Sequence, residues 1–443
     1  MMPKVGMISL GCAKNQVDGE VLMASLKQNG FTLSDDVGVC DIAIVNTCGF
    51  IESAKQESIE EILELCTLKK EGQIKKIVVT GCLAERYKEE IMKSIPEADA
   101  VIGIGANGEI AKLLHEMVET DDDIECFPNK YDMPLSGDRE LSTPSFFAYL
   151  KIAEGCDNNC TYCAIPLIRG KYRSRTIEDI LQEAEILVKD GAKELIVIAQ
   201  DTTRYGIDLY GEYSLAKLLK ELCKIDGLKW VRVLYGYPDA INDELIEVMA
   251  SEEKVVKYMD IPLQHANGRV LKAMNRRGDR ESLTELINKV KAKIPEMIVR
   301  TTFIVGFPGE TDEEFADLCT FVKEMRFDKM GCFPYSVEED TPAALMENQI
   351  DDEVKQHRAE LITDLQMRIM DEKGQDYIGK TIEVMVEGFD RYAECFFGRS
   401  YMDAPDTDGK VFFTAAQKPT IGTFVKVKID DAMDADLMGR VVK

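Results

Sequence analysis

The sequence predicts an α/β protein that ends in a small all-β domain. Apolar, β-branched runs without alternation are separated by helical patterns, which is typical of parallel sheets covered on both faces. A stretch rich in Asp, Pro, Gly and Ser interrupts this series, and short strands with turn signals replace it near the C-terminus. The length of 443 residues also suggests about three domains, at roughly 150 residues each.

The predicted domain boundaries follow these changes of pattern. Residues 1–120 are expected to form a Rossmann-like parallel α/β domain, and residues 121–141 a connection. Residues 142–373 are expected to form a partial (β/α)6 barrel, because six β/α repeats are fewer than the eight of a closed one. Residues 376–443 are expected to form a small all-β barrel.

Apolar runs and amphipathic spacing define the individual elements. The N-terminal strands are predicted at Val5–Leu10, Asp41–Asn46, Lys76–Thr80 and Ala100–Ile104, with helices at Val17–Lys27, Ser53–Leu65 and Ala84–Ser94. The central strands are predicted at Phe147–Ile152, Leu195–Ala199, Trp230–Leu234, Val256–Ile261, Val299–Val305 and Lys329–Phe333. Helices among them are predicted at Ile177–Lys189, Leu215–Cys223, Asp312–Met325 and Asp352–Lys373. The C-terminal strands are predicted at Thr381–Glu387, Tyr392–Gly398, Lys410–Thr414 and Phe424–Asp430.

The charge balance is strongly acidic. The chain has 54 Lys and Arg against 80 Asp and Glu, a formal net charge of −26. This balance is a poor match for a protein that grips phosphate backbones, since each phosphate contact draws on Lys or Arg. It suits a small molecule or a cationic partner better.

Cysteine usage and targeting signals point to a reducing compartment. No apolar run reaches the ~18 residues of a membrane span, and the N-terminal residues lack the pattern of a signal peptide. We therefore expect a cytoplasmic protein whose 13 cysteines remain reduced. Some of these thiols are candidates for metal ligation or catalysis, and the others for small buried hydrophobic residues.

Three cysteines lie close together directly after the first central strand. Cys156, Cys160 and Cys163 form a C-x3-C-x2-C pattern. Thiolates select soft metals and iron–sulfur clusters, and three of them can hold three corners of a cubane while the fourth iron stays open. A structural zinc site is the alternative, but it usually needs a fourth Cys or His at near spacing, and none follows.

Three further cysteines are far apart in the sequence but have similar neighbouring residues. Cys12, Cys48 and Cys82 each lie one to three residues beyond a predicted strand and beside a glycine, in ISLGC, IVNTC and VVTGC. Parallel strands end at one edge of a sheet, where ligands bind in open α/β folds. A second three-thiolate cluster is one interpretation of this pattern, and three independent core cysteines are the other.

Several sequence blocks resemble a known family. The C-x3-C-x2-C pattern resembles that of the radical S-adenosylmethionine (SAM) enzymes, and the whole chain resembles the methylthiotransferases, which combine an N-terminal three-cysteine domain, a radical SAM domain and a TRAM domain. The matching blocks are SLGCAKNQVDGE (Ser9–Glu20), NTCGFIESAKQES (Asn46–Ser58), GCLAERY (Gly81–Tyr87), EGCDNNCTYCAIPLIRGKYRSR (Glu154–Arg175) and VGFPGET (Val305–Thr311).

The resemblance implies two cofactor clusters and a double use of SAM. It assigns one 4Fe–4S cluster to Cys156, Cys160 and Cys163, and an auxiliary 4Fe–4S cluster, which carries sulfide or persulfide sulfur, to the other three cysteines. SAM is then both methyl donor and radical source, and Tyr162 matches the aromatic position near its adenine. A low-potential electron donor is also implied.

Residues at other strand ends are candidate SAM contacts. Polar or glycine residues there can face a ligand bound at the carboxyl edge of the sheet. Each of them could instead be a turn residue. They are Gln200 and Asp201, Gln264, and Gly306, Gly309 and Glu310 within VGFPGET.

Three functional interpretations remain open at this point, two of which differ in the substrate. The resemblance is greatest to the members that modify the β-carbon of an aspartate in small-subunit ribosomal protein twelve, free or on the ribosome. The alternatives are a tRNA adenosine methylthiotransferase of the MiaB type and a non-catalytic iron–sulfur electron carrier. From residue 376 to 443 there are 12 acidic and 9 basic residues. That balance favours the basic ribosomal protein and makes tRNA unlikely.

Overall fold

The computed structural model describes residues 3–120 and 122–442. It contains two six-stranded sheets, a closed five-stranded barrel and a small two-stranded sheet. This is the mixed α/β architecture with a C-terminal β-barrel that the sequence predicts. No helix within the described residues is long and apolar enough to cross a membrane.

The N-terminal sheet is parallel throughout. Its strands are β1 (Lys4–Ser9), β2 (Thr32–Ser34), β3 (Ile42–Thr47), β4 (Lys76–Gly81), β5 (Ala100–Ile102) and β6 (Ile124–Cys126), in the order β2-β1-β3-β4-β5-β6. Its helices are α1 (Ala13–Gln28), α2 (Glu52–Lys70), α3 (Cys82–Arg86), α4 (Lys88–Ser94) and α5 (Ile110–Thr120). The edge strands β2 and β6 have three residues each, and unlike β5, which is equally short, they lack a continuous run of buried apolar residues, so the sequence did not indicate them. Strand β6 lies within the stretch predicted as a connection.

The central sheet is an open, sequentially ordered (β/α)6 unit. Its strands are β7 (Phe147–Lys151), β10 (Glu194–Ile198), β11 (Trp230–Val233), β12 (Val255–Asp260), β13 (Ile298–Val305) and β14 (Lys329–Pro334), and β8 (Ala153–Glu154) pairs separately with β9 (Arg173–Ser174). The helices are α6 (Ile165–Arg169), α7 (Ile177–Lys189), α8 (Ile207–Tyr210), α9 (Leu215–Leu222), α10 (Asp243–Ser251), α11 (Gly268–Ala273), α12 (Arg280–Lys293), α13 (Asp312–Met325) and α14 (Asp352–Gln375). All six predicted strands are present within about two residues of their predicted bounds.

The C-terminal barrel packs on one face of the central sheet. Its strands are β15 (Thr381–Asp390), β16 (Cys395–Arg399), β17 (Val411–Thr414), β18 (Phe424–Met433) and β19 (Asp436–Val442). Ile196 and Ile198 of β10 share one hydrophobic cluster with Phe147 and Tyr149 of β7 and with Val386 of the barrel. The opposite face of the sheet packs on helices. Burial on both faces explains why these strands lack polar alternation.

Buried ion pairs also join the barrel to the central sheet. Glu194 is fully buried and accepts from Arg232 at 2.7 Å and from Arg399 of the barrel at 2.8 Å. Lys329 donates to Asp403 at 2.9 Å. Because removing one partner would leave an uncompensated buried charge, these contacts hold the barrel in one position.

Candidate active site

The loop with the C-x3-C-x2-C pattern is anchored at its first cysteine and at Asn158, and it is closed on itself at its last cysteine. The Cys156 amide donates to the Gly170 carbonyl at 3.1 Å, and the Cys163 amide donates to the Cys160 carbonyl at 3.0 Å. The Asn158 side chain donates to Asp201, which follows β10, at 2.8 Å. The loop is therefore fixed at the carboxyl edge of the central sheet, as the sequence predicts.

The three thiols of this loop interact electrostatically. Burial raises the pKa of the Cys156 thiol to about 11. Burial and the neighbouring Cys160 raise the pKa of the Cys163 thiol well above its ordinary value. The Arg276 guanidinium lies 3.8 Å from the Cys160 sulfur and 3.4 Å from the Tyr162 hydroxyl. The loop thus brings three soft donors together beside one cation.

The other three cysteines meet at the carboxyl edge of the N-terminal sheet. Cys12 follows β1, Cys48 follows β3 directly, and Cys82 follows β4 directly. Their approach depends on glycine: a Cβ on Gly11 would lie 2.7 Å from Cys48 Cβ, and one on Gly81 would lie 2.5 Å from a backbone oxygen. Both glycines also have positive φ, which favours glycine. The convergence predicted from the strand ends is what the structure contains.

Charged neighbours surround these thiols unevenly. Burial, and then the adjacent Cys82, raise the pKa of Cys48 to about 12. At Cys12, burial is outweighed by the cations of Lys14 and Arg169, which hold the pKa of this thiol below its ordinary value. Arg169 also donates to the Cys82 sulfur at 3.4 Å. This cysteine set therefore lies in one electrostatic environment that contains two cations.

The donor chemistry of both sets fits a soft metal centre. Each set supplies three thiols, one donor fewer than a closed structural zinc site uses. Along the described ranges, no three or more His, Cys, Asp or Glu side chains are arranged around a single metal ion. Each set is consequently defined by its three thiol donors and by its place at a sheet edge.

A cavity of about 610 Å³ is lined by sequence neighbours of both cysteine sets, although none of the six cysteines is among its lining residues. Phe50 to Ser53 come just after Cys48, and Tyr162 lies between Cys160 and Cys163. A volume of this size suits a ligand of several hundred daltons. The lining residues are Phe50, Ile51, Glu52, Ser53, Tyr162, Gln264, Thr302, Ile304, Phe333, Pro334, Tyr335, Ser336, Glu338, Asp352, Lys355 and Gln356.

Two lining residues have buried polar atoms whose hydrogen bonding is unsatisfied. The Gln264 Oε1 and Tyr335 Oη atoms are buried and have no hydrogen-bond partner among the residues described. Buried polar groups are normally hydrogen-bonded, so these two atoms lack a partner that the described residues do not supply. Gln264 also has positive φ, and its backbone pairs with Thr302 and Ile304 on β13, which orients it.

The remaining predicted SAM contacts lie outside this cavity wall. Asp201 is buried and accepts from Asn158, from the amide and hydroxyl of Thr203, and from Arg204. It therefore positions the cysteine loop in this structure. Gln200 is half-buried, and its Nε2 atom has no acceptor in the described part of the chain.

Gly306, Gly309 and Glu310 form a closed turn after β13. Glu310 accepts from the Gly306 amide at 2.8 Å, and Arg358 donates to its other oxygen at 2.9 Å. Burial raises the pKa of Glu310 to about 7, although Arg358 opposes this shift. The Gly309 carbonyl accepts from Arg269. The hydrogen-bonding groups of this turn are therefore paired with one another and with Arg269 and Arg358 in this structure.

Some site residues gave no sequence signal of their own. The site also contains residues from segments far apart in the sequence. Arg276 lies after α11, Tyr335 lies directly after β14, and Lys355 lies on α14. Only Arg169 had a usable cue, since it lies six residues after Cys163 in the quoted cysteine block. Such long-range contacts follow from tertiary packing and not from local pattern.

Three sequence families match the chain in the order of its domains. The family described as uncharacterized protein family UPF0004 matches residues 4–103. The Radical SAM superfamily matches residues 150–322, and the TRAM domain matches residues 378–442. The first two matches each cover most of one six-stranded sheet, and the third covers the C-terminal barrel.

Curated relatives match along the whole chain. The ribosomal protein uS12 methylthiotransferase RimO of Clostridioides difficile (strain 630) is 49% identical over 446 residues, which cover 100% of this chain and 99% of that protein. The protein of the same name from Thermoanaerobacter sp. (strain X514) is 50% identical over 439 residues, which cover 99% of this chain and 100% of that protein.

Solved structures share the fold at low identity. The radical S-adenosylmethionine methyltransferase TsrM from Kitasatospora setae has a TM-score of 0.59 at 13% identity, over 78% of this chain and 77% of that one. The cobalamin-dependent S-adenosylmethionine radical enzyme OxsB has a TM-score of 0.52 at 12% identity, over 81% of this chain and 56% of that one. At these identities the likeness concerns the fold alone.

Proposed function

Because the chain belongs to the RimO family of ribosomal protein uS12 methylthiotransferases, within the radical SAM superfamily, we propose that it inserts a methylthio group at the β-carbon of an aspartate in uS12. Membership of the superfamily implies one 4Fe–4S cluster and SAM. In this proposal Cys156, Cys160 and Cys163 hold that cluster. Cys12, Cys48 and Cys82 hold a second, auxiliary 4Fe–4S cluster.

The observation that carries this proposal is the cavity whose lining contains sequence neighbours of both cysteine sets. Replacing C–H by C–S–CH3 at an unactivated carbon needs a hydrogen abstractor and a sulfur donor on either side of one carbon. When bound, the first cluster with SAM and an electron from a low-potential donor supplies the abstraction, and the auxiliary cluster supplies sulfide or persulfide sulfur. Methylation of that sulfur consumes a further SAM.

The protein's own residues bind, orient and exclude water in this scheme. Gln264 and Tyr335 offer the orphaned polar atoms to the ligand, and Tyr162 flanks it from the cysteine loop. Apolar side chains, among them Phe50 and Ile304, keep much of the cavity wall dry. A reactive centre in such a place is protected from side reactions with solvent.

The cavity wall offers one cation to the carboxylate of a target aspartate. Lys355 is the single cation among the lining residues described. The acidic lining residues are already paired, Glu338 with Arg86, Glu52 with Lys55 and Asp352 with Lys355 itself. A lysine at this place can receive the carboxylate of the target residue in exchange for Asp352, its partner in this structure. An adenine base would present no carboxylate to this lysine.

The C-terminal barrel supports a protein substrate as well. Its acidic excess is a poor match for a polyanion. Phe396 stacks on Phe413 with ring centroids 6.0 Å apart and contacts Phe389 at 4.9 Å. Phe413 is buried and Phe396 half-buried in this cluster, so of these three rings Phe389, at 46% exposure, has the most open face for the stacking of bases.

The substrate assignment is tested by mass spectrometry of ribosomal proteins and tRNA from cells with and without the gene. We expect the methylthio mass to disappear from one aspartate-containing peptide of uS12, and tRNA to be unchanged. Restoration by a plasmid-borne copy is the control. Loss of a methylthio adenosine from tRNA, with uS12 unaffected, would contradict the proposal and support the tRNA-modifying alternative.

Lys355→Gln is expected to weaken uS12 binding and to spare SAM cleavage. A charge-assisted hydrogen bond contributes about 1.5–3 kcal/mol, so the KM for uS12 should rise roughly 10- to 100-fold. Lys355 is itself buried, although its partner at 2.8 Å, Asp352, is exposed, so the free energy of unfolding of this variant is measured beside its KM. The matched control is Lys373→Gln on the same helix, since Lys373 pairs with Asp328 away from the cavity. An unchanged KM in Lys355→Gln would refute this role.

A further inference from the structure

The short helix α6 connects the two cysteine sets physically. It begins two residues after Cys163 and ends at Arg169, whose side chain reaches Cys82 of the other set. Ala164 and Ile168 of the same segment pack against Cys82 in a small buried cluster. A segment of the radical SAM domain therefore contributes to the surroundings of the cysteines on the N-terminal sheet.

The Arg169 guanidinium is fully engaged and 1% exposed. Its Nη2 atom donates to the Cys82 sulfur at 3.4 Å and to Asn15 Oδ1 at 3.2 Å. Its Nη1 atom donates to Asp18 at 2.7 Å and to Glu154 at 2.9 Å. One planar fork thus spans a thiol on one side and two carboxylates on the other.

The carboxylates around Arg169 continue toward the other cysteine set. Glu154 accepts from the Gly155 amide at 3.0 Å, one residue before Cys156. Lys151 pairs with both Asp18 and Glu154. Two cations and two anions balance in this buried network, so the contact of Arg169 with sulfur is additional to its charge pairing. The network touches one cysteine set and the backbone beside the other.

We propose that Arg169 is a positioning residue that tunes the auxiliary cluster from the radical SAM domain, by donating an N–H···S hydrogen bond to Cys82 and by fixing the spacing between the two cysteine sets. The inference rests on the proposed ligand role of Cys82. Hydrogen bonds to cluster sulfurs and nearby charge set the reduction potential of iron–sulfur centres. A donor with a positive charge stabilises the more negative, reduced form, so it raises that potential.

The test measures the midpoint potential of the auxiliary cluster by EPR-monitored redox titration. The full chain with Cys156, Cys160 and Cys163 replaced by Ala provides a background that retains only this cluster. In that background Arg169→Gln should shift the potential to more negative values, because the charge is lost. Arg169→Lys keeps the charge and should give a smaller shift. In the otherwise unaltered enzyme, Arg169→Gln should keep SAM cleavage and lose methylthio product.

Arg139→Gln is the matched control. The Arg139 side chain is 3% exposed and pairs with two carboxylates, Glu20 and Glu183, and no contact of Arg139 with a cysteine is found in the described part of the chain. Its loss should reduce stability and leave the potential unchanged. An unshifted potential in both Arg169 variants, or an equal shift in Arg139→Gln, would overturn the inference. If the background protein binds no iron, the proposed ligand role itself fails, which is a different result.

Discussion

Replacing Cys156, Cys160 and Cys163 together by Ala is expected to abolish SAM cleavage and to halve the iron content. Two Cys-ligated cubanes would give about eight irons per chain after anaerobic reconstitution, and this variant about four. The loop that carries these cysteines is fixed by backbone and side-chain hydrogen bonds, so the fold should survive. Release of 5′-deoxyadenosine and of iron measures the two effects.

The complementary variant separates the roles of the two sets. Replacing Cys12, Cys48 and Cys82 by Ala should also remove half of the iron, but it should leave SAM cleavage intact and stop sulfur insertion. Cys66→Ala is the control, since Cys66 is a buried core residue of the N-terminal domain away from the sheet edge. Full iron in either triple variant would refute the ligand assignment.

Glu194→Gln is expected to destabilise the contact between the central sheet and the C-terminal barrel by about 3–5 kcal/mol, the usual cost of breaking a buried ion pair. Arg232 and Arg399, both almost fully buried, would lose their shared anion. Trp230, the single tryptophan, has its ring 4.8 Å from that of Phe424 in the barrel. Its fluorescence during urea unfolding therefore reports on this interface.

The effect should depend on pH in a defined direction. Although burial acts against it, the charges of Arg399 and Arg232 hold the pKa of Glu194 below its ordinary value. Such a carboxylate stabilises the folded state above its unfolded pKa, and this stabilisation is lost as pH falls through the folded pKa. The difference between wild type and Glu194→Gln should thus be largest near neutral pH and shrink in acid.

An exposed ion pair across the same interface is the control for Glu194→Gln. Glu383 accepts from Lys229 at 2.6 Å, and both side chains are about 40% exposed. Glu383→Gln should cost less than about 1 kcal/mol. If Glu194→Gln is no more destabilising than this control, buried pairing does not hold the barrel in place.

The sequence predicted those parts of the site that depend on local pattern and strand order. The convergence of Cys12, Cys48 and Cys82 followed from three strand ends, because parallel strands share one carboxyl edge. Tyr162 and Gln264, each placed by a short local context, line the cavity. The positions of Arg276 and Lys355 could not be predicted, because they come from distant segments whose packing is decided only in three dimensions. The sequence also suggested Gly306 and Gly309 of VGFPGET as SAM contacts. In the structure their turn is closed by Glu310 and Arg358.

The barrel's shared core with the central sheet has a consequence for evolution and engineering. A recognition domain on a flexible tether can be exchanged between relatives as an independent module. This barrel contributes Val384, Val386 and Met402 to a cluster that also contains Ile196 and Trp230 of the catalytic sheet. A chimera that takes its C-terminal domain from a tRNA-modifying relative would therefore also need that relative's residues on the face of the central sheet that packs on the barrel. Changes of substrate in this architecture are expected to involve coordinated change on both sides of that core.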